Sequence, residues 1–142
     1  MAIPGIEPVA QSPVYETQPV GAAPEHRHLL FLNAVLIVDA RMEAEAMSRE
    51  IHRIEREMGR MRDGASNSPR PIDIDVIYAG GIRLSSPALV VPHARWAERR
   101  FVVRPLADVR PDLVIPGAAR TVREVLHSLP AVPAVRLFAQ RW

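Results

Sequence analysis

The run Ile72-Asp73-Ile74-Asp75-Val76-Ile77 alternates aliphatic and acidic residues with a period of two. That spacing predicts a strand from Ile72 to Ala79, with Asp73 and Asp75 on one face and Ile72, Ile74 and Val76 on the other. Same-face Cα atoms in a strand lie about 6.5 Å apart. Two carboxylates so placed can converge on one or two hard cations, and Mg²⁺ is the natural candidate. The same alternation is common in an antiparallel strand with one solvated face, so spacing alone leaves both readings open. Cations flank the run, with Arg60, Arg62 and Arg70 before it and His93, Arg95, Arg99 and Arg100 after the next turn. Arg offers planar, bidentate donors to phosphate, so paired Asp beside clustered Arg describes a nucleoside triphosphate site without a P-loop. Each Arg taken singly reads equally well as a solvated surface charge.

Outward from this run, Arg60 to Pro71 is a polar loop with two prolines, and Gly80-Gly81 marks a turn. Before the loop, Ala44, Met47, Ile51, Ile54 and Met58 recur at helical spacing, and Gly59 follows as a C-terminal cap. This stripe reads as core packing. Val9 to Gln18 predicts a strand running into the turn Pro19-Val20-Gly21, and the apolar run Phe31 to Val38 predicts a second strand across a long polar loop. In that loop Glu25, His26 and His28 read as solvated rather than metal-binding. Beyond the extended Leu89 to Pro92, Ala94 to Val109 has helical spacing that Pro105 should bend or split. Thr121-Val122-Arg123-Glu124 fits a capping box before a last helix, and Val135 to Phe138 closes the chain as a strand.

Composition narrows the chemistry. The 142 residues predict one domain spanning 1–142, with 48% hydrophobic and 24% charged residues and no apolar run near the length of a membrane helix. There is no cysteine, which excludes disulfides, thiol nucleophiles and thiolate zinc sites. There is no lysine either, so Schiff-base chemistry and a P-loop lysine are excluded and any phosphate must be held by Arg. The isoelectric point near 9.9 reflects arginine's high pKa, because the formal net charge is only +2. Nucleic-acid binding is therefore not expected. The start lacks a secretory pattern, and a cytoplasmic location is expected.

Four segments then carry a resemblance. They are Ser12-Pro13-Val14-Tyr15-Glu16-Thr17-Gln18-Pro19-Val20-Gly21; Phe31-Leu32-Asn33-Ala34-Val35; Pro69-Arg70-Pro71-Ile72-Asp73-Ile74-Asp75; and Val91-Pro92-His93 through Arg99, Phe101, Pro105-Leu106 and Pro111-Asp112-Leu113. In order and spacing the chain resembles the 6-hydroxymethyl-7,8-dihydropterin pyrophosphokinases of folate biosynthesis. The resemblance implies pyrophosphoryl transfer from ATP to the hydroxymethyl oxygen of the pterin, with release of AMP and the help of two Mg²⁺ ions. It implies that Asp73 and Asp75 hold both ions, and that Arg62, Arg70, His93 and Arg99 embrace the triphosphate. His52, Glu55 and Val76 would meet the rest of the nucleotide. Asn33 would bond the pterin ring between Phe31 and Phe101, with Thr17, Pro19 and Val20 completing the pocket. From spacing alone, His52 and Glu55 read equally as a solvated i,i+3 pair, and both Phe residues as core.

The family's fold implies an α+β, ferredoxin-like sandwich with an antiparallel sheet. Members open with a strand, a Gly-Ser-Asn turn and a helix, whereas Met1 falls just before the second strand. The fold is therefore expected to lack that first strand and helix and to leave an exposed sheet edge on which a second copy can pair. Asn67 stands where many members have a Trp, Ala88 where some have an Arg, and His52 where Gln is frequent. A second functional class stays open, a nucleotide- or pterin-binding assembly protein that uses its sheet edge to engage a partner.

Overall fold

The computed structural model describes residues 3–17, 31–60, 72–132 and 134–142. It combines helices with antiparallel sheet, an α+β arrangement, and divides into two compact units, Met1–Asp39 with Arg95–Trp142, and Ala40–Ala94. Among the described residues no helix is long and apolar enough to cross a membrane.

In the first unit, each run expected as one strand is two. β1 (Ile6–Gln11) and β2 (Val14–Thr17) are separated at Ser12-Pro13, and β3 (Phe31–Asn33) and β4 (Leu36–Ala40) at Ala34-Val35. The breaks face each other. The Ser12 amide donates to the Val35 carbonyl at 2.9 Å, and the Val35 amide donates to Ser12 Oγ at 2.8 Å. A side-chain oxygen thus replaces a ladder carbonyl, and pairing passes from β1 with β4 to β2 with β3. Ser12 is 1% exposed, so its hydroxyl has no water to compensate for losing this bond.

β2 lies at the centre of a three-stranded sheet in the order β3-β2-β7, where β7 is Val135–Ala139. Both pairings are antiparallel, with Tyr15 opposite Asn33 and Leu137, and Thr17 opposite Phe31 and Val135. Directly opposite residues share a face, so Tyr15, Thr17, Phe31, Asn33, Val135 and Leu137 lie on one side. Against this sheet packs α2 (Arg100–Val109). Pro105 was expected to bend or split this segment, but the break comes at Arg99, whose extended backbone separates a 3₁₀ turn, Trp96–Glu98, from α2. Pro105 lies inside α2 and is fully buried, so it forgoes one backbone bond while adding apolar surface to the core. α3 (Val122–Ser128) begins with the expected capping box. The Glu124 amide donates to Thr121 Oγ1 at 3.2 Å, and the Thr121 amide donates to Glu124 Oε1 at 2.9 Å. α2 and α3 bury Val103, Leu106, Val122, Val125 and Leu126, together with Ile115 between them.

The second unit holds α1 (Ala44–Glu55), prolonged by a wider turn, Arg56–Arg60. The helical path breaks at Gly59, whose φ of 178° is ordinary extended backbone rather than a left-handed cap. The buried residues are Ser48, Ile51 and Glu55, while Met58 is 48% exposed. The covered face is therefore rotated from the apolar stripe toward two polar residues. Ile72 to Ala79 is not part of any sheet among the described residues, although it was expected as a strand. Its turn forms as expected, with Gly80 at φ +55° and the Ile82 amide donating to the Ala79 carbonyl at 3.0 Å. A minimal antiparallel pair, β5 (Leu84–Ser85) and β6 (Val90–Val91), leads to His93.

Candidate functional site

The acidic run keeps the alternation that its sequence dictates. Asp73 and Asp75 are exposed, and Ile72, Ile74 and Val76 are half-buried. Among the described residues no strand pairs with the run, and a side chain of α1 holds it. The Ile74 amide donates to Glu55 Oε2 at 2.7 Å, a charge-assisted bond from the backbone to the last turn of α1. Farther on, the His93 amide donates to the Ile77 carbonyl at 2.8 Å, which places His93 beside the same segment. Glu55 is 6% exposed, and its other oxygen, Oε1, lies 3.1 Å from His52 Nδ1. The His52 ring stays half exposed to solvent. His52, Glu55, Asp73, Asp75, Val76 and His93 are thus all in the second unit. Arg62, Arg70, Pro19 and Val20, each expected at the site, lie outside the described residues.

The donor set fits Mg²⁺ of one particular kind. Among the described residues no three His, Cys, Asp or Glu side chains cluster to form a closed cage. Mg²⁺ is commonly held by one or two carboxylates, with waters and substrate phosphates supplying the rest. Two exposed carboxylates on one side of a run match that pattern.

Of the residues expected at the pterin, the first unit holds Thr17, Phe31, Asn33 and Phe101 among the described residues. Asn33 Nδ2 donates to Thr17 Oγ1 at 3.3 Å across the β2 and β3 pair. Thr17 is 5% exposed and Asn33 half-buried, so Asn33 is oriented while part of its amide stays accessible. Phe31, on the same sheet face, is 49% exposed, which sets aside the reading that it belongs to the core. Phe101 is half-buried in the first turn of α2, and the Arg99 guanidinium lies 5.6 Å from its ring centroid. Arg99 also supplies the carbonyl that accepts the first amides of α2, those of Val102 and Val103.

A polar group that no motif in the sequence marks stands beside these residues. The Tyr15 hydroxyl donates to Asp108 Oδ2 and accepts from Arg104 Nε at 3.2 Å, and Arg104 lies 3.5 Å from Asp108. Burial pushes the Tyr15 hydroxyl above its ordinary pKa of 10, and the bond to Asp108 adds to the shift. The bond to Tyr15 likewise raises the Arg104 guanidinium. These three line an open cleft of about 450 Å³ with Pro13, Arg100, Val135, Leu137 and Gln140. Only the i,i+4 spacing of Arg104 and Asp108 hinted at the network in the sequence.

Residues 2–111 match the model of a family described as 7,8-dihydro-6-hydroxymethylpterin-pyrophosphokinase. A 2-amino-4-hydroxy-6-hydroxymethyldihydropteridine pyrophosphokinase of Methylorubrum extorquens is 41% identical over 128 residues, covering 90% of this chain and 77% of that protein. One of the same name from Pseudomonas aeruginosa is 37% identical over 128 residues, covering 90% and 76%. A folate synthesis bifunctional protein of Arabidopsis thaliana is 36% identical over 105 residues, 74% of this chain but 21% of that longer one.

Proposed function

This chain belongs to the 7,8-dihydro-6-hydroxymethylpterin-pyrophosphokinase family, and we propose that it transfers pyrophosphate from ATP to 6-hydroxymethyl-7,8-dihydropterin in folate synthesis. The hydroxymethyl oxygen attacks the β-phosphorus of ATP, the bond from that phosphorus to the α,β-bridging oxygen breaks, AMP leaves, and the hydroxyl proton is lost. The observation that carries the reading is the exposed Asp73 and Asp75 pair on one side of a run anchored to α1.

In this reading Asp73 and Asp75 would hold two Mg²⁺ ions, which when bound would supply charge neutralisation at the phosphates and polarisation of the transferred group. Arg62, Arg70, His93 and Arg99 bind the triphosphate, and Arg62 and Arg70 stabilise charge on the group in flight. His52, on the exposed flank of α1, and Val76 meet the nucleoside. Asn33, oriented by Thr17, bonds the pterin, whose flat ring Phe31 and Phe101 contact, while Pro19 and Val20 complete its pocket. The reaction takes place in the cytoplasm, where ATP is supplied.

The 142 residues act as one pyrophosphokinase domain of the ferredoxin-like kind. The antiparallel order β3-β2-β7 with α2 packed against it supports this reading. Among the described residues β3 and β7 are each paired on one side only, which supports edge pairing with a second copy. The functional test is nucleotide product analysis with ATP, Mg²⁺ and the pterin. AMP formed only when the pterin is present is expected, whereas ADP as the product would refute the assignment.

A further inference from the structure

We propose that Glu55 is a positioning residue whose buried carboxylate holds the Ile74 amide and so fixes the direction in which Asp73 and Asp75 present their carboxylates. This rests on the reading of those two aspartates as the ion-holding pair. By resemblance Glu55 was expected to meet the nucleoside, but its oxygens are engaged within the chain. Oε2 accepts from Ile74 at 2.7 Å, and Oε1 pairs with His52 at 3.1 Å. A carboxylate that is 6% exposed is stable only with such partners, so its burial and its bonds belong together.

The effect on the aspartates follows from backbone geometry. Side chains alternate across an extended segment, so a fixed Ile74 orients its two neighbours together on the opposite side. Elsewhere in a sheet a neighbouring strand does this through its ladder, but among the described residues Ile72 to Ala79 has no ladder partner. One side-chain oxygen on the helix takes that place at the residue between the two aspartates, and the bond from His93 to Ile77 holds the segment farther on. Groups that orient metal ligands without touching the metal influence affinity by about 10- to 100-fold.

Two variants and two readouts test this. Glu55→Gln keeps an amide oxygen for Ile74 and an amide N–H for His52, whereas Glu55→Ala keeps neither. Mn²⁺ binding in the presence of α,β-methylene-ATP is measured by electron paramagnetic resonance, and exchange of the Ile74 amide by NMR. Affinity for Mn²⁺ should fall about 10-fold or more in Glu55→Ala and stay within about 3-fold of wild type in Glu55→Gln. Ile74 exchange should accelerate only in the Ala variant. Equal losses in both variants would show that the charge acts directly on ion or nucleotide and would overturn the positioning role. So would wild-type affinity in Glu55→Ala. Should Glu55→Ala not fold, an unprotected Ile74 amide in the wild-type protein would be sufficient to overturn it. Failure of the wild-type protein to bind Mn²⁺ with the nucleotide would instead refute the reading of Asp73 and Asp75, and the proposal with it.

Discussion

Replacing Tyr15 by Phe removes one hydroxyl from beneath α2 and leaves the ring, 5% exposed, in place. Two bonds are lost, the donation to Asp108 and the acceptance from Arg104. Bonds to charged partners contribute about 1.5–3 kcal/mol each, and the loss is greater when the partner is left buried and stranded. Here neither is. The Asp108 and Arg104 side chains are 23% and 41% exposed, and they remain 3.5 Å from each other. Water and the remaining ion pair therefore offset part of the loss, and the expected total is about 1.5–2.5 kcal/mol. For a chain of this size that corresponds to a fall in Tm of about 4–8 °C. The sign of the pH dependence follows from the raised pKa of Tyr15. The wild-type advantage is fully present below pH 10 and is lost as pH rises through the higher folded value. Thermal denaturation of both proteins from pH 7 to pH 11 should show the gap narrowing only at the alkaline end. A Tm difference under about 1 °C at pH 7, or a gap independent of pH, would refute the account of this network.

Ser12→Ala should cost about 1–3 kcal/mol in urea denaturation, because the Val35 amide loses its acceptor at a residue only 1% exposed. The bonds from Thr121 hold the Glu124 carboxyl below its ordinary value, so its support for α3 is full above pH 4.5 and is lost as pH falls through the folded value. Glu124→Gln should accordingly flatten the acid limb of Tm against pH between about 5 and 3. Asp75→Asn should lower turnover by about 100-fold or more while leaving the far-ultraviolet circular dichroism unchanged, since Asp75 is exposed.

Sequence pattern sufficed where a single rule governed a segment. The alternation of Ile72 to Val76 and the Thr121 capping box are both local, and both read directly into exposure and bonding. The pattern misled where a side chain took over a backbone task. Ser12 Oγ divides two predicted strands into four, and nothing in an apolar count marks a serine as a ladder acceptor. Glu55 accepts the Ile74 amide, and among the described residues an acidic run with good strand periodicity carries no ladder, while the buried face of α1 turns toward Ser48 and Glu55. At the candidate site, chemistry-bearing residues were recognisable by type. The orientation of Asn33 by Thr17 and the network of Tyr15, Arg104 and Asp108 depend on contacts far apart in sequence, which spacing does not encode.

The most direct measurement of the central claim is phosphorus-31 NMR of the pterin product after turnover with ATP and Mg²⁺. A pterin carrying two linked phosphorus atoms, formed in step with AMP and abolished in Asp75→Asn, is the predicted result. A pterin monophosphate, or hydrolysis of ATP with the pterin unchanged, would contradict it.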